Sequence, residues 1–361
     1  MSENSKIEWT DHTFNPWEGC QKVGPGCDRC YAETRNARFG GGVATNWGPG
    51  APRRRTSPAN WRKPLAWNAA HEKFFAAHGR RQRVFCASLA DVFDNAVDPV
   101  WRADLFDLIE RTPKLDWLLL TKRIGNVQKM VEAATCLSSL PDNVWLGATI
   151  CNQAEADRDI PKLLEVPARV RFLSMEPLLG PVDLRNIEVP HENDQLRRTW
   201  DYKGYTFNAL SEHDDDRFHQ APANIDWVIV GGESGHGARP MHPNWVRSLR
   251  DQCGAAGVPF LFKQWGEWGQ YVNEDHYTHC DKELHAHAWV DSATGSHGKC
   301  WVVDDDGTWS NWTGDPPQGP GGSVAPSVAV MGWHGKRAAG RLLDGVQHDR
   351  FPFQHNRPGA K

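Results

Sequence analysis

No stretch of the chain approaches eighteen uninterrupted apolar residues, the minimum for a helix that crosses a bilayer. The first residues, MSENSKIEWTDH, lack the charged-then-apolar layout of a secretory signal. The expectation is a cytoplasmic protein without a membrane partner. Strong charge of one sign is also missing, with 41 Lys and Arg against 45 Asp and Glu, while 39% of the 361 residues are hydrophobic. That balance excludes a disordered tail and supplies a core for one large domain or two small ones. No strand-like run precedes G-x-G-x-x-G or G-x-x-x-x-G-K-[ST], so the usual nucleotide-binding fingerprints are absent. Cysteine is sparse and odd in number, nine in all, which argues against a disulfide framework and for reduced thiols unless they hold a metal. Tryptophan is the excess: eighteen residues, enough for a thick core, for aromatic surfaces, or for both.

Short apolar and β-branched runs occur at RVFCAS (83–88), DWLLLT (116–121), NVWLGATI (143–150), RVRFLSM (169–175), DWVIVGG (226–232) and VPFLF (258–262). Their spacing, between about 25 and 32 residues with one long interval, is that of a strand, a crossover helix and two loops. Helix signals lie between them. Asp98 as N-cap and Pro99 at the first position open one helix, Asn152 with Glu155 resembles a capping box, and Pro243 opens a helix that stops at Gly254 or Gly257. The expectation is an α/β fold, a parallel (β/α) barrel, partial or complete, resembling a TIM barrel. It spans 1–269, begins with a Cys loop, and carries a surface insertion at 187–224. Residues 270–361 read as a loop-rich appendage that ends in a basic helix at 335–345.

Within FNPWEGCQKVGPGCDRCYAE (14–33), Cys20, Cys27 and Cys30 form a C-x6-C-x2-C pattern. Gly19, Gly24, Pro25 and Gly26 allow sharp turns, so the spacing predicts three sulfurs converging on a metal. A zinc ion takes a fourth ligand, for which His12 is the nearest candidate; an iron–sulfur cube leaves one iron open. His276, His279, Cys280, His285, His287 and Cys300 form a second, looser group of metal-ligating residue types.

The segment IEWTDHTFNPWEGCQKVGPGCDRCYAE resembles a phage-associated three-Cys-motif family, itself similar to radical S-adenosylmethionine (SAM) enzymes. ASLADVFD (87–94), LLLTKR (118–123), LGATI (146–150), FLSMEPLLG (172–180), VIVGGESG (228–235), FKQWGEW (262–268) and GKRAAGRLLDG (335–345) match the family's pattern in its order. The resemblance implies a [4Fe–4S] cluster on Cys20, Cys27 and Cys30, SAM on its open iron, and a separate electron donor. It also implies a 5′-deoxyadenosyl radical that acts on substrate, with Glu233 in a turn similar to one that binds the SAM amine.

In a barrel the reactive groups gather at the C-terminal ends of the strands. Those ends carry Lys122 and Glu176, candidate catalytic residues because each follows an apolar strand and its charge needs a partner or ligand. Ser88, Asp91, Thr149, Gly231, Gly232, Glu233 and Ser234 are candidate cofactor contacts. Arg123 and Lys263 are candidate substrate contacts at the same ends. The stretch NWGPGAPRRRTSPANWRKPLAW (46–67) adds Arg53, Arg54, Arg55 and Trp61, and the tail adds Lys336 and Arg341. Cations interleaved with aromatics suit a nucleic-acid groove, of DNA or RNA; a solvated loop pinned by core Trp residues is the plainer reading. The expected function is radical modification or repair of a nucleic acid or nucleotide-derived substrate, with a DNA-lesion lyase as one form. The alternative is a zinc-stabilised nucleic-acid-binding protein without catalysis.

Overall fold

Runs that are apolar on both faces can be buried only inside a layered structure, and here they form one sheet. A computed structural model describes residues 5–188, 206–211, 223–270, 300–304, 309–311 and 328–352. Seven strands pair side by side: β1 (His12–Thr13), β2 (Gln82–Cys86), β3 (Leu115–Thr121), β4 (Val144–Thr149), β5 (Val170–Met175), β6 (Trp227–Gly231) and β7 (Phe260–Gln264). All are parallel and their spatial order is their chain order. An order without reversal winds in one direction, so the sheet curls into a half-barrel rather than the doubly wound alternative.

Nine helices of the described residues take part: α1 (Tyr31–Phe39), α2 (Pro58–Trp61), α3 (Lys63–Ala69), α4 (His71–His78), α5 (Pro99–Glu110), α6 (Val127–Thr135), α7 (Gln153–Glu165), α8 (Pro243–Ala256) and α9 (Lys336–Ala339). The cap signals hold. The Asp98 carboxylate accepts from Val100 N at 2.9 Å, Asn152 Oδ1 accepts from Glu155 N at 3.0 Å, and α8 ends on Gly257 at φ 70°.

Alternation along each strand divides the core in two. Val84, Trp117, Leu119, Leu146, Leu173 and Val228 face the helices, whereas Phe85, Leu118, Trp145, Phe172, Trp227, Ile229 and Leu261 face the concave interior. Trp9 closes the N-terminal end of that interior, its ring 4.7 Å from Phe85 and 6.3 Å from Trp227. Phe351 meets it from the other terminus, 5.2 Å from Trp227, with the Arg83 guanidinium 3.9 Å from the Phe351 ring. Each such aromatic contributes on the order of 2–3 kcal/mol by burial.

Four expectations need correction. β1 is a seventh strand that two residues could not announce by pattern. The insertion is not purely a surface loop: Ile187–Glu188 pairs antiparallel with Thr206–Phe207, and Ile187, Phe207, Ala209 and Leu210 are buried. The appendage holds a four-stranded antiparallel sheet of β8 (Trp268–Gln270), β9 (Cys300–Asp304), β10 (Trp309–Asn311) and β11 (Val328–Trp333), and β8 straddles the expected boundary at 269. The basic helix is only α9. Beyond it Leu342–Leu343 and Val346–Gln347 pair as a hairpin, so Arg341 lies outside the helix.

Candidate functional site

The same alternation that places aromatics at the bottom of the half-barrel places polar residues at its C-terminal mouth. Following Leu118 and Leu120, Lys122 faces inward; following Trp145, Thr149 does; following Phe172, Ser174 and Glu176 do; following Leu261, Lys263 does. Thr149 stands beside Ser174 in register. Lys122 Nζ donates to Thr149 Oγ1 at 3.3 Å, and Lys263 Nζ pairs with Glu176 Oε2 at 3.0 Å. Room for the Glu176 carboxylate comes from Gly231, where a Cβ would lie 2.5 Å from Oε1. The two candidate catalytic residues and Lys263 thus line one inward ring.

The Cys loop lies over this mouth. A Cβ on Gly26 would fall 2.3 Å from Cys151 Sγ, 3.4 Å from Lys122 Cε and 3.6 Å from Pro177 Cδ, so its backbone rests on the ends of β3, β4 and β5. Two arginines fasten its arms. Arg123, after β3, donates to Gln21 O at 2.9 Å and reaches Cys20 Sγ at 3.5 Å, while its charge is met by Asp91 at 3.0 Å. Arg239, beyond β6, donates to Pro25 O at 2.8 Å and Asp28 Oδ2 at 3.2 Å, and its guanidinium grips Glu233 at 2.7 and 2.9 Å. Asp91 and Glu233 are buried, which makes their charge-assisted bonds strong ones; Asp28 is exposed.

Cys20, Cys27 and Cys30 are free, partly exposed thiols. Burial pushes the Cys20 thiol up to about 11, although Arg123 pulls it the other way. Burial also works against the Lys122 charge, but the neighbouring Cys27, Cys151 and Cys30 sulfurs and Asp91 outweigh it and raise its value. The convergence expected from the spacing is not present: among the described residues no group of three or more His, Cys, Asp or Glu side chains stands at metal-holding distance. The arms are anchored to different strands, one through Arg123 and one through Arg239. As donors, three unlinked soft thiols on one partly exposed loop remain the chemistry that an iron–sulfur cluster or zinc takes. His12 does not join them. It is buried in β1 and stacked on Trp67 of α3 at 4.1 Å.

Several candidate contacts are already occupied. Asp91 accepts from Thr121 Oγ1 at 2.8 Å, Lys122 N at 3.1 Å and Phe93 N at 2.9 Å besides Arg123, so it organises the strand end instead of facing a cofactor. Glu233, the expected contact of a ligand amine, is paired with Arg239. Ser234 Oγ accepts from Gln264, Ser88 Oγ bonds Asn15, and Gly232 packs on the Trp265 backbone. Arg123 is held between Asp91 and the loop.

Arg53, Arg54 and Arg55 of the basic stretch have partners in the fold, and of the three only Arg53 is buried. Arg53 is buried, donating to Asp94 and to the carbonyls of Asn46 and Ala51; Arg54 pairs with Glu18; Arg55 pairs with Asp104 at 2.6 Å and lies 4.4 Å over the Trp61 ring. Arg53 is thereby removed from the substrate contacts. Arg341 donates to Lys263 O at 2.8 Å and pairs with Asp349, whereas the Lys336 side chain is exposed. His276, His279, Cys280, His285, His287 and the Cys300 side chain lie outside the described residues. Sequence reasoning missed Cys151, Arg239 and Tyr31, whose hydroxyl donates to Ser88 O at 2.5 Å. Cys151, two residues past Thr149 at a strand end, carried a signal; Arg239 did not.

Fold and site together define a parallel α/β half-barrel protein with a three-thiol loop clamped over its C-terminal mouth. Across residues 4–352 the chain matches, and belongs to, the family described as protein of unknown function, DUF5131. No curated protein and no solved structure matches it. Among the described residues no helix is long and apolar enough to cross a membrane.

Proposed function

We propose that the protein is a radical SAM enzyme of the cytoplasm, in which Cys20, Cys27 and Cys30 hold a [4Fe–4S] cluster fed by a separate electron donor. Its substrate is a nucleic acid or a nucleotide-derived molecule, and repair of a DNA lesion is one form the reaction takes. The observation that carries the reading is the position of the thiol loop across the mouth of a parallel half-barrel, above an inward ring of ammonium, hydroxyl and carboxylate groups. The resemblance of the Cys segment to a phage-associated family similar to radical SAM enzymes supports it. When bound, cluster and SAM would supply one-electron bond cleavage and a carbon-centred radical.

The chain's own residues do the rest. Gly26 seats the loop on Cys151 and against the Lys122 side chain. Lys122, Thr149, Glu176 and Lys263 orient polar substrate groups, and Arg123 and Arg239 fix the two arms of the loop. Protein purified without oxygen is expected to be brown, with about four iron and four sulfide per chain. After reduction it should release 5′-deoxyadenosine from SAM, and Cys27→Ala should abolish both properties. Stoichiometric zinc without sulfide, in protein expressed with ample iron, would replace this reading by the zinc-stabilised binding protein.

A further inference from the structure

Two polar groups of opposite character are left unmet in the same inward ring. Lys122 is half-buried and carries three N–H donors; among the described residues Thr149 Oγ1 is the one acceptor it reaches, and no carboxylate stands within ion-pair distance of it. Glu176 gives one oxygen to Lys263, while the other, Oε1, is shielded from solvent and accepts nothing. A buried polar atom without a partner is costly, and native proteins keep few of them. The two groups stand on strands β3 and β5, with β4 between, so their backbones are about 10 Å apart at ordinary strand spacing.

We infer that this ring is a nucleotide site: Lys122 and Thr149 hold the phosphate, and Glu176 Oε1 accepts a hydrogen bond from a hydroxyl or amino group of the sugar or base. The inference rests on the nucleotide-derived substrate proposed above and assigns that substrate its contacts. Lys122, Lys263 and Glu176 sum to one surplus positive charge, which a phosphate offsets. A bare phosphate is too small to touch both ends of the ring, whereas a phosphate with its sugar and base spans them. The competing claimant on Lys122 is the set of sulfurs beside it, Cys27, Cys30 and Cys151.

Binding is measured by calorimetry on the full chain, handled without oxygen and without SAM, so the result does not depend on radical chemistry. The probes are the common ribonucleoside 5′-monophosphates, the matching nucleosides, inorganic phosphate, and a short single-stranded oligonucleotide. At least one monophosphate should bind saturably, with its nucleoside and inorganic phosphate each weaker by about tenfold or more. Lys122→Met should erase the difference between nucleotide and nucleoside. Thr149→Val, which keeps the ammonium, should weaken the nucleotide alone, and guards against a Lys122→Met chain that fails to fold. Glu176→Gln should weaken the nucleoside. Lys122-dependent binding of the oligonucleotide would identify a strand as the source of the nucleotide; binding of the monophosphate alone would identify a free one. Absence of saturable binding by every monophosphate overturns the inference. So does wild-type affinity in both Lys122→Met and Thr149→Val, or a Lys122→Met chain altered only in its metal content.

Discussion

The two ends of the half-barrel are built on opposite principles from the same alternation of residues. At the bottom, Trp145, Phe172 and Trp227 meet Trp9 and Phe351, and the interior is sealed by aromatic contact. At the mouth, the same inward positions are Lys122, Thr149, Ser174, Glu176 and Lys263, and a glycine-bearing loop is held over them by arginine–carboxylate pairs. Apolar burial is non-directional and tolerates a range of shapes, whereas charge-assisted hydrogen bonds fix position. The bottom therefore carries stability and the mouth carries geometry.

The largest test of that division is Trp227→Ala. Trp227 is fully buried, donates its indole N–H to Arg350 O at 2.9 Å and touches Trp9, Trp145, Phe172 and Phe351, so its removal should cost about 3–5 kcal/mol. Denaturant unfolding measures it. A cost below about 1 kcal/mol would mean that the bottom is not where the fold is held.

Arg53→Ala probes the other end. Arg53 and Asp94 side chains are each 1% exposed and 2.8 Å apart, and truncating one leaves the other charged and buried. The expected loss is about 3 kcal/mol, similar to a core truncation, because buried Asp94 loses its nearest counter-charge and keeps, among the described residues, only the Ala96 N–H at 3.1 Å and Arg123 at 3.9 Å. Arg53→Ala should not flatten the salt dependence of any nucleic-acid binding, since the guanidinium does not reach solvent; a flattened slope would return Arg53 to the substrate surface.

A smaller and more local effect is expected from Arg239→Ala, which frees Pro25 O and Asp28 and strands Glu233. Amide exchange in residues 21–30 should rise well before global unfolding changes, with a local loss of about 1–3 kcal/mol. Uniform loss of protection across the half-barrel would show that Arg239 supports the fold and not the loop.

These contrasts also mark what the sequence could disclose. The parallel repeat was legible because strands buried on both faces read as continuous apolar runs, and the caps at Asp98, Asn152 and Gly257 were legible because their chemistry is local. Lys122 and Glu176 stood out because each follows an apolar strand, and Cys20, Cys27 and Cys30 because they share one short loop. What failed was partnership. Arg53 looked like a ligand contact because its partner, Asp94, lies 41 residues away, and Glu233 looked free although Arg239 closes on it six residues later. A charge in a sequence does not say whether its counter-charge is supplied by the fold or by a ligand. The two-residue strand β1 was hidden for a related reason: its identity lies in pairing with β2, not in its own pattern.

At the bottom the ion pairs Asp11–Arg80 and Arg81–Asp116 stand beside the aromatics, and the smallest effect is expected from the first. Asp11 accepts from Arg80 at 2.6 and 2.8 Å and from Arg83 N at 2.8 Å, at the start of β2. Burial alone would raise its carboxyl, but the Arg80 guanidinium and the Arg83 N–H outweigh it and hold the group below its ordinary 3.8. A depressed carboxylate contributes stability that is fully present above the ordinary value and is lost as pH falls through the folded one. Asp11→Asn should therefore be less stable than the parent near neutrality, and the gap should narrow as the pH is lowered from above 3.8 through the folded value. Glu72, exposed and paired with Lys114 at 2.7 Å, is the control, because a surface pair contributes little and Glu72→Gln should leave the acid limb nearly unchanged. Denaturant midpoints for both variants across that range decide the matter. A gap between parent and Asp11→Asn that stays constant with pH would mean that the Asp11 contribution is packing, and that the bottom of the half-barrel is held by apolar contact alone.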